Sequence, residues 1–130
     1  MENRGNSIKN ICLLSTHGYV DPIPRLGMTD TGGQVVYVLQ LAKALTQLNV
    51  SVDLYTRWFD SSKKQIDHIP DYPEFRIVRI PAGPWEFIPK EKIYNVLPEL
   101  SKNMISFIQE QNLVYDLYHG HYVDAGIVTV

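Results

Sequence analysis

GMTDTGGQVVYVLQLAKAL, residues Gly27 to Leu45, sets a threonine-rich, double-glycine turn directly against an amphipathic helix. Val35, Val38, Leu39, Ala42 and Leu45 recur at helical spacing, and Val36 and Leu41 widen the apolar face, which predicts a helix from about Gly33 to Leu48. Asn49 follows as a residue that tolerates the left-handed conformation of a helix end. At the other end, the glycine pair leaves backbone N–H groups free at the positive end of the helix dipole. Such a junction is either a plain tight turn or a place where a phosphate or diphosphate approaches the backbone. It matches neither the dinucleotide GxGxxG pattern nor the GxxxxGK[ST] loop. Gln34 falls in the first helical turn, where its amide can meet hydroxyl groups.

Upstream, the continuous apolar run ICLL predicts a strand at Lys9–Ser15, covered on both faces, and a long loop from Thr16 to Thr31. Loops of that length inside a compact domain are usually functional. Downstream, VSVDLYTR (Val50–Arg57) predicts a second strand, completing a strand–loop–helix–strand unit whose default is a parallel crossover. Trp58 to Glu74 reads as a polar surface excursion with a small irregular hairpin, and FRIVRI (Phe75–Ile80) as a third strand. Pro89 is placed to open a helix over Lys90–Leu97, and Pro98 to open another carrying Leu100, Met104, Phe107, Ile108 and Gln111. LVYDLYHGH supplies a fourth strand, and DAGIVTV the opening of a further helix. The expected class is α/β, a Rossmann-like parallel sheet with helices on both faces. Because the pattern stops inside an element that would cover the sheet, the chain reads as the front part of a larger protein.

Composition narrows the function. The 130 residues suffice for one domain. Twelve Lys and Arg against 14 Asp and Glu leave a formal charge of −2, with no basic patch to capture nucleic acid or an anionic membrane. The single Cys12 sits in the apolar run and reads as a buried core thiol. The polar start MENRGNSIKN lacks the apolar core of a signal peptide, no apolar run has transmembrane length, and the expected location is cytoplasmic.

Ligands of open α/β sheets bind at the carboxyl ends of the strands, and four stretches fall there. STHGYVD (Ser15–Asp21) follows the first strand and carries His17. Arg57 ends the second, to meet either a phosphate or a surface carboxylate. In FIPKEKIY (Phe87–Tyr94), Lys90 stands near a helix start, against the dipole's preference, so it is either a solvated lysine or one that faces an anionic ligand. HGHYVDAG (His119–Gly126) joins the fourth strand to its helix. His119, His121 and Asp124 suggest a metal site by spacing, but no second cluster accompanies them, His17 and His68 lack neighbouring ligands, and Asp124 is equally placed to cap a helix. No metal is expected.

Together, THGYVD, DTGGQVVYV, RIPAG, IPKE and HGHYVDAG resemble, in order and with compatible spacing, the retaining GT-B glycosyltransferases of the sucrose-phosphate synthase and sucrose synthase group. Within it, the resemblance extends to the mannosylfructose-phosphate synthases, whose acceptor domain starts with similar THGYV and DTGGQVVYV stretches. The resemblance implies that residues 1–130 are the N-terminal part of an acceptor-binding Rossmann-like domain, the incomplete first half of a two-domain fold. Gly32 and Gly33 would form a cleft loop near the donor diphosphate, Gln34 would contact a fructose moiety and Lys90 would bind the acceptor's phosphate. His17, His121, Tyr122 and Asp124 would shape the cleft wall. The partners implied are a nucleotide sugar (GDP-mannose or UDP-glucose) and fructose 6-phosphate, with no cofactor. The family's histidine beside the reacting sugar, and the groups that hold the nucleotide sugar, belong to segments beyond Val130, so no catalytic residue is expected here and the 130 residues alone should not turn over. Alternatives are a sucrose synthase-type transferase using unphosphorylated fructose and a non-catalytic sugar-phosphate-binding module. A nucleotide-dependent oxidoreductase fits poorly, because GxGxxG is absent and Arg57 stands where an acidic ribose ligand is required.

Overall fold

The computed structural model describes residues 8–16, 33–88 and 90–120. Strand β1 (Asn10–Leu14) is followed by helix α1 (Gly33–Thr46), β2 (Ser51–Trp58), the hairpin β3 (Ile66–Ile69) and β4 (Tyr72–Pro81), a 3₁₀ segment (Lys90–Val96), α2 (Leu97–Glu110) and β5 (Leu117–Gly120). The strands form one sheet in the order β3-β4-β2-β1-β5. β1 pairs in parallel with β2 and β5, and β2 with β4.

Strand alternation sorts the core onto two faces. Ile11, Leu13, Val52, Leu54, Phe75 and Ile77 point to one side, where they meet Val35, Val38, Leu39 and Ala42 of α1. Cys12, Leu14, Tyr55, Val78 and Ile80 point to the other, against Ile93, Val96, Leu97, Leu100, Met104 and Phe107. The ICLL run is apolar throughout because both faces of β1 are covered. Cys12 is a buried free thiol, and burial pushes its pKa up. α1 stops two residues before the expected Leu48: Thr46 Oγ1 donates to the Lys43 carbonyl at 2.7 Å, and Asn49 takes φ 64°, the left-handed exit expected of it.

Three expectations change. The sheet is not wholly parallel: β3 lies antiparallel to β4 on the edge, turning at Asp71 with φ 68°. Buried Arg79 of β4 holds this hairpin, donating to the Lys64 carbonyl at 2.7 Å and to Asp67 Oδ2 at 2.6 Å. The helix expected over Lys90–Leu97 is 3₁₀. Its buried residues Ile93 and Val96 are three apart, the repeat of a 3₁₀ turn, and Pro98 supplies no N–H to continue an α ladder from this segment. The fourth strand starts only at Leu117, running over Leu117–Gly120 of the described residues, and is pinned from below: Asp116 accepts the backbone N–H groups of Lys9 and Asn10 at 2.8 and 2.9 Å. Those bonds hold its carboxyl below the usual range.

Candidate functional site

All four parallel strands end on the same edge of the sheet, and the elements that follow them gather there. α1 begins at this edge with Gly33 and Gln34 as its first two residues. The 3₁₀ segment begins here as well, with Lys90, and leads into α2, which returns to the opposite edge so that β5 can run parallel to β1. The backbone positions of Gly33, Gln34 and Lys90 therefore open on one side of the fold. His119, in β5, is exposed on the same edge. Gly32, His17, His121, Tyr122 and Asp124 lie outside the described residues. Among the described residues no three His, Cys, Asp or Glu side chains cluster as metal ligands.

Arg57 is the feature that the sequence misplaced. It is not exposed for a phosphate, and among the described residues no carboxylate forms an ion pair with it; only 3% of it meets solvent. Its guanidinium spends all three nitrogens on carbonyls of the loop after β4: Nε donates to Ala82 at 2.6 Å, Nη1 to Glu86 at 2.9 Å, and Nη2 to Pro84. A signal for this was present, since Arg57 shares the strand parity of Tyr55 and so faces the α2 side of the sheet, where a cation must find partners. Burial lowers the Arg57 pKa, while Glu86 and Glu99 favour its charge.

The same loop is held from two further directions. Gly83 adopts φ 68°, and a Cβ added there would come within 2.4 Å of Val96 Cγ1 in the 3₁₀ segment. Its N–H donates to Glu99 Oε1 of α2 at 3.1 Å. Trp85, 53% exposed, packs edge-on against Trp58 at the end of β2, with ring centroids 5.2 Å apart. Trp58 Nε1 is turned inward to the carbonyls of Asp60 and Lys63, each at 3.1 Å. Phe59 and Phe87 make a second edge-on pair, and the Arg57 guanidinium lies 5.4 Å from the Phe59 ring centre. On the α1 face of β2, one residue before Arg57, buried Thr56 Oγ1 has no hydrogen-bond partner among the described residues.

Asp53, the acidic residue of β2, is committed elsewhere. It lies toward the start of the strand and accepts both arms of Arg76, which removes it from any ribose-binding role at the strand's end.

The mixed, mainly parallel sheet with helices on both faces and the glycine-led α1 make a Rossmann-like fold of the kind found in GT-B glycosyltransferases. The profile of the sucrose synthase first GT-B domain matches residues 3–57, and that of Glycosyltransferase Family 4 matches residues 31–130. The chain belongs to Glycosyltransferase Family 4. It is 49% identical to mannosylfructose-phosphate synthase of Agrobacterium fabrum over 90% of its own length, which is 25% of that protein. It is 33% identical to D-inositol 3-phosphate glycosyltransferase of Corynebacterium glutamicum over 91% of its length and 27% of the relative's. Among solved structures it superposes on sucrose-phosphate synthase from Thermosynechococcus elongatus with a TM-score of 0.81 and 32% identity, covering 93% of this chain and 29% of that one. The chain thus spans about a quarter of the curated relatives it matches. No helix among the described residues is long and apolar enough to cross a membrane.

Proposed function

We propose that this chain is the acceptor-side portion of a retaining hexosyltransferase that moves a sugar from GDP-mannose or UDP-glucose to fructose 6-phosphate. The observation that carries the reading is that α1, led by Gly33 and Gln34, and the segment led by Lys90 open on one edge of one parallel sheet. Backbone N–H groups at the start of α1 offer partial positive charge to an anion, and a lysine supplies the full charge that a sugar phosphate requires. In the whole enzyme, such groups stabilise the diphosphate as it leaves, and closure of a second domain keeps water from the reacting sugar.

The names of the relatives support a phosphorylated acceptor. Mannosylfructose-phosphate synthase, D-inositol 3-phosphate glycosyltransferase and sucrose-phosphate synthase each carry a phosphate in the name. The match of residues 3–57 to the sucrose synthase domain supports the second reading, transfer to unphosphorylated fructose.

Binding by the full reading frame that carries this sequence separates the two. Lys90→Ala should weaken fructose 6-phosphate binding by about 10² and fructose binding by less than about twofold, the asymmetry expected when one charge-assisted contact to phosphate is lost. Equal losses for both ligands would remove Lys90 from the phosphate site and favour the unphosphorylated acceptor. Inositol 3-phosphate in the same assay tests whether the site takes a phosphorylated polyol instead.

A further inference from the structure

We propose that Arg57 is a positioning residue for the acceptor site: it fixes the course of residues 82–88, and through them the place of Lys90, without touching substrate. The inference rests on the reading of Lys90 as an acceptor ligand.

The geometry allows Arg57 little else. Nε, Nη1 and Nη2 are spent on the carbonyls of Ala82, Glu86 and Pro84, which spread over five consecutive residues of an irregular loop. That loop has no sheet or helix ladder of its own, so its carbonyls need donors from outside. A planar fork with fixed donor directions sets their relative positions, as a flexible ammonium cannot. The second anchor is Gly83, which sits against Val96 with no space for a side chain and donates to Glu99. Between them, the end of β2, the 3₁₀ segment and the start of α2 hold the loop on three sides. Lys90 follows two residues after the described stretch ends at Ile88. A displacement of the loop therefore moves the point from which Lys90 departs, and misplacement by about 1 Å is enough to cost a bound group most of its contribution.

Arg57→Lys keeps the charge and removes the fork. In the full reading frame, it should raise the KM for fructose 6-phosphate about tenfold, leave the KM for the nucleotide sugar within about twofold, and lower kcat far less than it raises the acceptor KM. In the Lys90→Ala background, the same substitution should have no further effect on the acceptor KM, because the group it positions is gone. The chain's two tryptophans, Trp58 and Trp85, give a second readout independent of turnover. In the full reading frame, the part of the near-ultraviolet dichroism that Trp85→Phe removes reports their edge-on contact, and Arg57→Lys should diminish that part while far-ultraviolet dichroism is retained.

Three results would overturn the proposal. An unchanged acceptor KM with a smaller active fraction would give Arg57 a purely structural role. Additive effects of Arg57→Lys and Lys90→Ala would make it act on something other than Lys90. An unchanged tryptophan signal would mean that it does not set the loop. Failure of Lys90→Ala alone to alter acceptor binding would overturn the acceptor reading itself, and the two failures are told apart by that single variant.

Discussion

Arg76 of β4 and Asp53 of β2 face each other across neighbouring strands and join through two parallel hydrogen bonds, 2.8 and 2.7 Å long. Tyr115 donates its hydroxyl to the same carboxylate at 2.5 Å, and Tyr55 in turn lies 2.6 Å from the Tyr115 oxygen. This is a polar network near the amino end of the sheet, opposite the proposed site. Asp53→Ala leaves the partly buried Arg76 without its partner and should destabilise the chain by about 3 kcal/mol. Tyr115→Phe removes one bond to a charged acceptor and should cost about 1.5 kcal/mol. Denaturant midpoints at constant m-value check both; a loss for Asp53→Ala no greater than that for Tyr115→Phe would show that the ion pair adds nothing.

The two tyrosines set a behaviour at high pH. Burial raises the pKa of each above its ordinary 10.0, and for Tyr115 the bond to Asp53 adds to the shift. The folded state therefore retains protons that the unfolded chain releases, and stability is fully present below pH 10.0 and declines as the pH rises past it. A denaturation series into that range should show falling midpoints, and Tyr115→Phe should flatten the fall. A midpoint independent of pH there would contradict the buried network.

Thr56 makes the opposite kind of prediction. Its hydroxyl is buried without a partner among the described residues, so Thr56→Val exchanges a desolvated polar atom for a methyl group. The variant should be more stable by about 1 kcal/mol in a thermal melt. Destabilisation would mean that the hydroxyl is satisfied after all.

Gly83 tests the braced loop by sterics. Its φ of 68° and the 2.4 Å approach of a Cβ to Val96 make Gly83→Ala unfavourable twice over, by strain and by collision. A loss of about 2 kcal/mol is expected. Adding Val96→Ala should relieve the collision but not the strain, so the double variant should fall short of the sum of the two single losses. Strict additivity would show that the contact is not made.

Which features were legible in the sequence follows from what each depends on. β1 and α1 declare themselves because burial on two faces requires an unbroken ICLL, and burial on one face requires Val35, Val38, Leu39 and Ala42 at helical spacing. Asn49 marks the helix end because few residues tolerate its backbone angle. The 3₁₀ character of Lys90–Val96 was not legible from composition, since Ile93 and Val96 suit an α-helix equally well and only the packing decides. The hairpin expected within Trp58–Glu74 is present, but its place on the sheet edge was not legible: β3 is four residues long, carries Asp67 and His68, and is held by Arg79, a contact made through the fold rather than along the chain. Charge at a strand end usually meets a ligand phosphate or a surface carboxylate, the two readings the sequence offers for Arg57; its strand parity argues for the interior instead. At the candidate site, the shared edge of Gly33, Gln34 and Lys90 follows from the order of strands and helices. Gly32, His17, His121, Tyr122 and Asp124 fall outside the described residues, so their places in a cleft rest on the resemblance alone.

The most direct test is nucleotide release by the full reading frame, with GDP-mannose and UDP-glucose offered in parallel, in the presence and absence of fructose 6-phosphate. Release from one of the two donors that depends on fructose 6-phosphate is the expected result: GDP would assign mannosyl transfer, and UDP glucosyl transfer. Release that ignores fructose 6-phosphate, or none from either donor, would contradict the assignment of Gln34 and Lys90 to a fructose 6-phosphate site.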